Sequence, residues 1–184
     1  MRKYIILILS SFLVGCTTTS NNYFIFKEPI VTGEYKRDIL PTIGLEKILL
    51  PEYMQQSKIV IQTSPSNIKY LEDNLWAENM ENSLTKKLIS IIQKSFNNPR
   101  VYSYPWGVAT EPTIRISILV NRFIYYNGYI YLAGSWNIKR EADYKNKLFD
   151  IKIATESDIK NIVSNMNIAF DKLSHQIVIE LSHR

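Results

Sequence analysis

The side chains that could perform catalysis are few in this sequence, and their spacing is poor for it. The 184 residues include one cysteine, Cys16, and two histidines, His175 and His183. Two separated histidines and one cysteine give no metal-ligand pattern, and the Gly-x-Ser-x-Gly motif of serine hydrolases does not occur. Glu78 and Glu81 lie three residues apart. A carboxylate pair of the kind used by cell-wall glycosidases therefore stays open, beside the simpler reading that both complement a helix N-terminus.

Cys16 ends a stretch that has the pattern of an export signal. Arg2 and Lys3 precede the uncharged, Ile- and Leu-rich segment Tyr4–Val14, and the small Gly15 stands directly before the cysteine. This three-part pattern is typical of a secretory signal peptide. The apolar segment has eleven residues, whereas a membrane-spanning helix needs about 20. The sequence therefore predicts export rather than a spanning helix.

Leu13-Val14-Gly15-Cys16 resembles the lipobox of bacterial lipoproteins. The resemblance implies cleavage before Cys16 and attachment of an N-acyl chain (palmitate) and an S-diacylglycerol, with no other cofactor. We expect residues 1–15 to be the signal peptide, residues 16–22 the lipidated cysteine and a polar tether, and residues 23–184 one domain. Thr17 stands where an inner-membrane retention signal has Asp, so the resemblance favours an outer-membrane lipoprotein facing the periplasm of a Gram-negative bacterium.

The charge of the mature chain is too small to suggest a nucleic-acid partner. The full sequence carries 22 basic and 17 acidic residues, and removal of Arg2 and Lys3 with the leader leaves a net charge of +3. Nucleic-acid-binding domains are usually far more basic. The mature chain also has no cysteine besides the acylated one, so neither disulfides nor thiol catalysis are expected.

Hydrophobic periodicity predicts an α+β domain with a mixed, mostly antiparallel sheet and two main helices packed on one face. The strongest turn signal is Asn127-Gly128, which predicts a hairpin between two aromatic strands. Thr155 and Asp158 resemble a capping box before the last helix. The predicted strands are residues 23–26, 43–50, 58–62, 67–71, 101–104, 113–126, 129–138 and 147–153, and the predicted helices are residues 80–96 and 157–181.

The order of several short motifs resembles the auxiliary lipoproteins of ABC-type intermembrane transport, the PqiC (YmbA) family. These motifs are Leu50-Pro51-x-Tyr53, Trp76-Ala77-Glu78, the strand that ends in Pro105-Trp106, and Leu132-Ala133-x-x-Trp136. The resemblance covers most of the mature chain. It departs at Asn79, where the family usually has proline.

This resemblance implies a non-enzymatic accessory component of a phospholipid transport system that maintains membrane integrity. The implied partners are an MCE-domain (PqiB-like) membrane protein that forms a tunnel, outer-membrane lipids, and further copies of this chain in a homo-oligomeric ring. The alternative is a structural lipoprotein of another envelope assembly, such as a secretion machine. No nucleic-acid or metal partner is expected.

Eight residues are candidates for a partner or oligomer interface, and each also has a purely structural reading. Tyrosine and tryptophan are enriched at interface hot spots, but they also pack at strand ends. Trp76 and Glu78 in particular are expected to pack and to complement a helix N-terminus. The candidates are Pro51, Tyr53, Trp76, Glu78, Tyr104, Trp106, Tyr129 and Tyr131.

Overall fold

The computed structural model describes residues 20–28, 42–97, 99–107, 111–141 and 143–183. These residues form an α+β domain, which confirms the predicted class; Cys16 and residues 1–15 lie outside the described residues. None of the described helices is both long and apolar enough to cross a bilayer. In chain order the elements are β1 (Asn22–Phe24), β2 (Ile43–Leu45), a 3-10 turn (Glu52–Met54), β3 (Lys58–Ser64), β4 (Asn67–Trp76), α1 (Met80–Ser95), β5 (Val101–Ser103), β6 (Ile114–Tyr126), β7 (Tyr129–Arg140), β8 (Asp143–Ala154) and α2 (Ile159–Ser182).

The eight described strands form one mixed sheet around the long strand β6. The path of paired strands is β1-β4-β3-β6-β2-β5. Strands β3 and β2 pair with opposite ends of β6 along one of its edges. Strand β7 pairs with the other edge of β6, and β8 pairs with β7. The long pairings β3–β4, β6–β7 and β7–β8 are antiparallel. The short pairings that attach β1, β2 and β5, and that join β3 to β6, are parallel. The long antiparallel ladders are therefore the local hairpins, and the parallel contacts join distant parts of the chain.

The β6–β7 hairpin turns at the predicted position. Asn127 and Gly128 have φ values of 45° and 78°, the positive values that a type I′ turn requires at both central residues. Strand β8 is longer than predicted and pairs with β7 along its whole length, from Tyr129 opposite Ala154 to Arg140 opposite Asp143. The second predicted strand is shorter, because after β2 only Leu49 returns to the sheet, in an isolated bridge to β6.

Both helices begin at a side-chain cap and pack on the same face of the sheet. The Asn79 side chain accepts a hydrogen bond from the N–H of Asn82, and the Asp158 carboxylate accepts from the N–H groups of Lys160 and Asn161. The predicted capping box at Thr155 is therefore wrong: the N-cap is Asp158 itself.

The core lies between the helices and the inward-facing positions of the strands. On β7 the buried residues alternate regularly with outward-facing ones, whereas on β6 an irregularity between Val120 and Arg122 shifts the alternation by one residue. The fully buried large side chains include Phe123, Trp136 and Phe170.

The helix pattern predicts that Lys87 points away from the apolar side of α1, but this lysine is buried. Its position seven residues after Met80 and four before Ile91 puts it on their side of the helix. There its ammonium group binds the carbonyl of Lys27 and the carboxylate of Asp171.

Candidate functional site

A large depression lies on the outer face of the sheet, the face turned away from the helices. Tyr104 and Trp106 follow β5 and contact each other edge to face, with ring centroids 5.4 Å apart. The Trp106 ring lies directly over Gly44 of β2: a Cβ atom built on Gly44 would be 2.7 Å from Trp106 Cζ3 and 2.4 Å from Pro112 Cγ. The missing side chain of Gly44 therefore makes room for the indole beside the sheet.

Together with the outer side of β6 and β7, this aromatic pair encloses a groove of about 610 Å³, which we call the aromatic groove. Its size falls within the range of small-molecule and peptide sites. It is lined by Glu46, Lys47, Leu49, Tyr104, Trp106, Glu111, Arg115, Ser117, Ile118, Leu119, Ser135 and Asn137.

The aromatic groove has apolar walls and a small polar floor. Leu49 and Leu119 are 59% and 43% exposed, although each belongs to a β-bridge between neighbouring segments. On the floor, Asn137 Nδ2 donates a 3.3 Å hydrogen bond to Ser117 Oγ. Arg115 is neutralised by an ion pair with Glu111. Such a surface binds by burying apolar groups and exchanging a few hydrogen bonds, and it offers no activated nucleophile.

The described residues hold no cluster of three histidine, cysteine or carboxylate side chains that could bind a metal ion. Of the two carboxylates considered for a glycosidase, Glu78 and Glu81, the first is bound to Lys86 at 3.1 Å and to Ser83 at 3.2 Å. The hydrogen bond from Lys86 and its positive charge lower the pKa of the Glu78 carboxyl. This carboxyl is therefore further from acting as a proton donor at neutral pH, since a general acid needs a raised pKa.

Tyr129 and Tyr131 lie together on the outer face, as their alternation with buried Ile130 and Leu132 predicts. Their ring centroids are 6.2 Å apart. The Arg122 guanidinium lies 4.0 Å from the centroid of Tyr131, and Lys152 Nζ lies 3.8 Å from that of Tyr129. The cations thus cover part of each ring, so this cluster is a mixed cationic and aromatic surface rather than an apolar one.

Pro51 and Tyr53 have clear structural roles. The carbonyl of Pro51 accepts the N–H of Met54 in the 3-10 turn. The Tyr53 hydroxyl accepts a 3.3 Å hydrogen bond from the N–H of Phe123, just beyond the irregularity of β6. Burial raises the pKa of this hydroxyl. Both residues support the strand that carries the aromatic groove; an interface role for them stays a prediction.

Trp76 is the most buried of the eight candidates. Its indole stacks on Phe26 with centroids 5.2 Å apart, and it belongs to the core. This packing agrees with the structural alternative for Trp76. Glu78, predicted to complement a helix N-terminus, binds the side chains of Lys86 and Ser83 on α1. These two residues lie at the β4–α1 junction, and neither lines the aromatic groove.

Leu49 and Leu119 line the site but were not among the predicted interface residues. The sequence did carry a signal for Leu119: it occupies an outward-facing position of an alternating strand, where Arg115 and Ser117 precede it. An apolar residue at an outward-facing position of the strand cannot pack into the core. Leu148 repeats the signal on β8, where it is 84% exposed and lies beside Ser135 in the register.

Comparison of the whole sequence identifies a family of transport lipoproteins. The sequence model of one protein family, the ABC-type transport auxiliary lipoprotein component, matches residues 28–178. The chain belongs to this family. Intermembrane transport lipoprotein PqiC of Escherichia coli (strain K12) is 22% identical over 156 residues, which cover 83% of this chain and 82% of that protein. The relative of the same name from Shigella flexneri gives the same values.

Solved structures share the fold at low sequence identity. The crystal structure of an uncharacterized protein superposes with a TM-score of 0.71 at 16% identity, covering 88% of this chain and 98% of the other. A Xanthomonas campestris protein gives a TM-score of 0.68 at 11% identity, covering 85% and 92%. At these identities the likeness concerns the fold alone.

Proposed function

We propose that this family member is lipidated on Cys16, is anchored in the outer membrane facing the periplasm, and acts without covalent catalysis. Its function would be to dock an MCE-domain tunnel protein to the outer membrane during phospholipid transport. The observation that carries this proposal is the family match over residues 28–178, together with a relative named for intermembrane transport. The lipobox at Cys16 agrees with the lipoprotein character of the family.

The aromatic groove is the surface that we assign to partner contact. Tyrosine and tryptophan give large, rigid contact area and dominate binding energy at many interfaces. In the aromatic groove, Tyr104 is 53% exposed, and its neighbour Trp106 is braced against Gly44. The apolar walls of the groove and the ion pair of Arg115 with Glu111 favour an amphipathic protein segment over a charged small molecule.

We also propose that several copies assemble into a ring. Support comes from β8, which pairs with β7 alone among the described strands and therefore leaves the hydrogen-bonding groups of its other edge unpaired with strands. Such an edge is able to pair with another chain. Size analysis of the detergent-extracted lipoprotein should give a multiple of the protomer mass; a purely monomeric species would contradict the ring.

Site-specific photocrosslinking in native membranes tests the docking proposal. A photoreactive residue replaces Tyr104 in one variant and Tyr144 in a matched control. Both are exposed tyrosines, but Tyr144 lies on β8 and does not line the aromatic groove. We expect the Tyr104 probe to capture an MCE-domain protein. The Tyr144 probe, on the strand proposed to pair between copies, should capture no MCE-domain protein.

The two positions separate the function from the site. Capture of an MCE-domain protein from both positions supports docking but contradicts the groove assignment. Capture of only unrelated envelope proteins contradicts docking and favours the structural lipoprotein of another assembly.

A further inference from the structure

We propose that residues 22–28, which we call the N-terminal edge, rest on the surface of the bilayer that holds the lipid anchor. The inference rests on the proposed lipidation of Cys16 and adds a second, noncovalent membrane contact to it. Its argument is that one side of the N-terminal edge is fixed to the core, whereas the other side presents apolar residues outward. The sequence alone predicted only a short first strand there.

The inner side of the N-terminal edge is part of the folded core. Phe26 stacks on Trp76 at 5.2 Å, and Phe24 packs against the same core. The carbonyl of Phe24 accepts a 2.9 Å hydrogen bond from the N–H of Ala77. The segment therefore has a defined orientation rather than hanging loosely from the domain.

A buried polar cluster holds the next residue, Lys27, by both of its backbone groups. The N–H of Lys27 donates a 2.8 Å hydrogen bond to Asn167 Oδ1, and its carbonyl accepts one of 2.7 Å from Lys87 Nζ. Lys87 also forms an ion pair with Asp171 at 3.0 Å, and 3% of its side chain is exposed. Both helices thus fix the segment that follows β1.

The outer side presents Tyr23 and Ile25, which are 65% and 64% exposed. They alternate with the inward-facing Phe24 and Phe26, so both lie on one side of the same short segment. A single exposed apolar residue needs no explanation, but two neighbours on a rigidly held edge form a small apolar surface. Tyrosine is favoured at the membrane–water interface, where its ring is apolar and its hydroxyl is hydrated.

The short tether indicates that the bilayer is what contacts the outer side of the N-terminal edge. Six residue steps separate Cys16 from Asn22, the first residue of β1, and a fully extended chain of that length spans about 20 Å. An acylated Cys16 therefore keeps Asn22 within about 20 Å of the membrane at all times, and Tyr23 and Ile25 follow Asn22 by one and three residues. The aromatic groove, by contrast, lies beside β2 and β5, at the other end of the strand order from β1.

A single-cysteine fluorescence experiment tests this contact on the lipidated full chain. Lipidation consumes the thiol of the only native cysteine, so an introduced cysteine is labelled alone. An environment-sensitive fluorophore is attached at Ile25→Cys in one variant and at Leu148→Cys in the control. Each protein is reconstituted in phosphatidylethanolamine and phosphatidylglycerol vesicles that contain a headgroup spin-labelled lipid as quencher. Flotation of the vesicles reports the anchor separately.

We expect both variants to float with the vesicles, and the probe at residue 25 to show blue-shifted emission with quenching several-fold stronger than at residue 148. In the Ile25→Cys variant, the further change Tyr23→Ser should weaken that quenching. Flotation with water-like emission and weak quenching at residue 25 overturns the membrane contact while leaving the anchor intact. A blue shift without lipid quenching shows a protein neighbour there and also overturns it. Loss of flotation contradicts the lipid anchor, and this inference falls with it.

Discussion

At the scale of single residues, Glu180 is the most informative ionisable group. Near the C-terminus of α2 its 5% exposed side chain forms ion pairs with Lys145 and Lys147 of β8, and its carbonyl accepts a hydrogen bond from Arg140. A carboxylate near a helix C-terminus is disfavoured by the helix dipole. The two lysines compensate for this, and they join the end of α2 to the sheet.

The Glu180 carboxyl makes stability depend on pH. Burial opposes its ionisation, but the hydrogen bonds and charges of Lys145 and Lys147 outweigh burial and lower its pKa below the ordinary 4.5. The unfolded chain then binds more protons than the folded chain, so the contribution is full above pH 4.5 and is lost as pH falls through the folded pKa. We expect Glu180→Gln to lower the unfolding free energy by about 1–2 kcal/mol at pH 7, discounted because the lysines are half exposed.

Urea unfolding at pH 7 and pH 3 measures this difference. The gap between the wild-type chain and Glu180→Gln should shrink at the lower pH, because the stabilisation by the ionised carboxyl declines as the pH falls below 4.5. A gap of equal size at both pH values would show that the loss comes from packing rather than from charge.

Substitutions at two glycines, Gly134 and Gly44, test the stability of the sheet and the shape of the aromatic groove separately. A Cβ atom at Gly134 would lie 2.0 Å from the backbone oxygen of Leu119, whereas at Gly44 it would meet the side chains of Trp106 and Pro112. Backbone cannot yield easily, so Gly134→Ala should destabilise the fold by about 3 kcal/mol. Gly44→Ala should mainly displace the Trp106 ring.

Thermal unfolding and indole fluorescence distinguish the two substitutions. We expect the larger loss of stability in Gly134→Ala. For Gly44→Ala we expect a change in indole emission and weaker crosslinking from Tyr104, with a smaller loss of stability. Full crosslinking in a folded Gly44→Ala variant would mean that the position of Trp106 does not matter for partner contact.

At the scale of elements, sequence periodicity predicted local structure well and distant contacts poorly. The Asn127-Gly128 turn depends only on the residues in the turn and is correct. The parallel pairings of β2 with β5 and β6 join segments far apart in sequence, and no local pattern carries them. The prediction for Lys87 failed in a related way: the residue lies on the buried side of α1, but its partners, the Lys27 carbonyl and Asp171, come from distant parts of the chain that the helix pattern does not show.

The contacts of Lys87 predict how α1 and α2 hold the N-terminal edge. Lys87→Met removes its bonds to the Lys27 carbonyl and to Asp171, and we expect a loss of about 2–3 kcal/mol. Hydrogen exchange should be fastest to change at Ala77, whose N–H is bonded to Phe24. Lys86→Met is the matched control, because its exposed pair with Glu78 contributes little. Unchanged protection at Ala77 in Lys87→Met would contradict the idea that this lysine fixes the segment.

At the scale of the whole molecule, the anchor and the two outward surfaces follow from different kinds of information. The lipobox is a contiguous motif and is visible in sequence. The aromatic groove combines residues on or next to β2, β5, β6 and β7. The sequence therefore predicts Tyr104 and Trp106 as interface candidates but does not predict the groove that they line. The exposure of Tyr23 and Ile25 points to a contact surface only because Phe24 and Phe26 of the same segment pack against the core. The proposed function depends on the orientation of the domain relative to a membrane.

The described contacts of the domain begin at β1, where Asn22 Nδ2 lies 3.4 Å from Asn74 Oδ1, and the lipidation motif precedes them. Cys16→Ala should therefore abolish labelling by a palmitate analogue and leave an unprocessed precursor, while the folded domain keeps a thermal midpoint close to that of the lipidated chain. Leu148→Ala, remote from the motif, should label normally. Because the cysteine sulfur and its new amino group are the proposed attachment points, normal lipid labelling of Cys16→Ala would refute the anchor. A large fall in the midpoint would instead show that residues before Asn22 contribute to the fold.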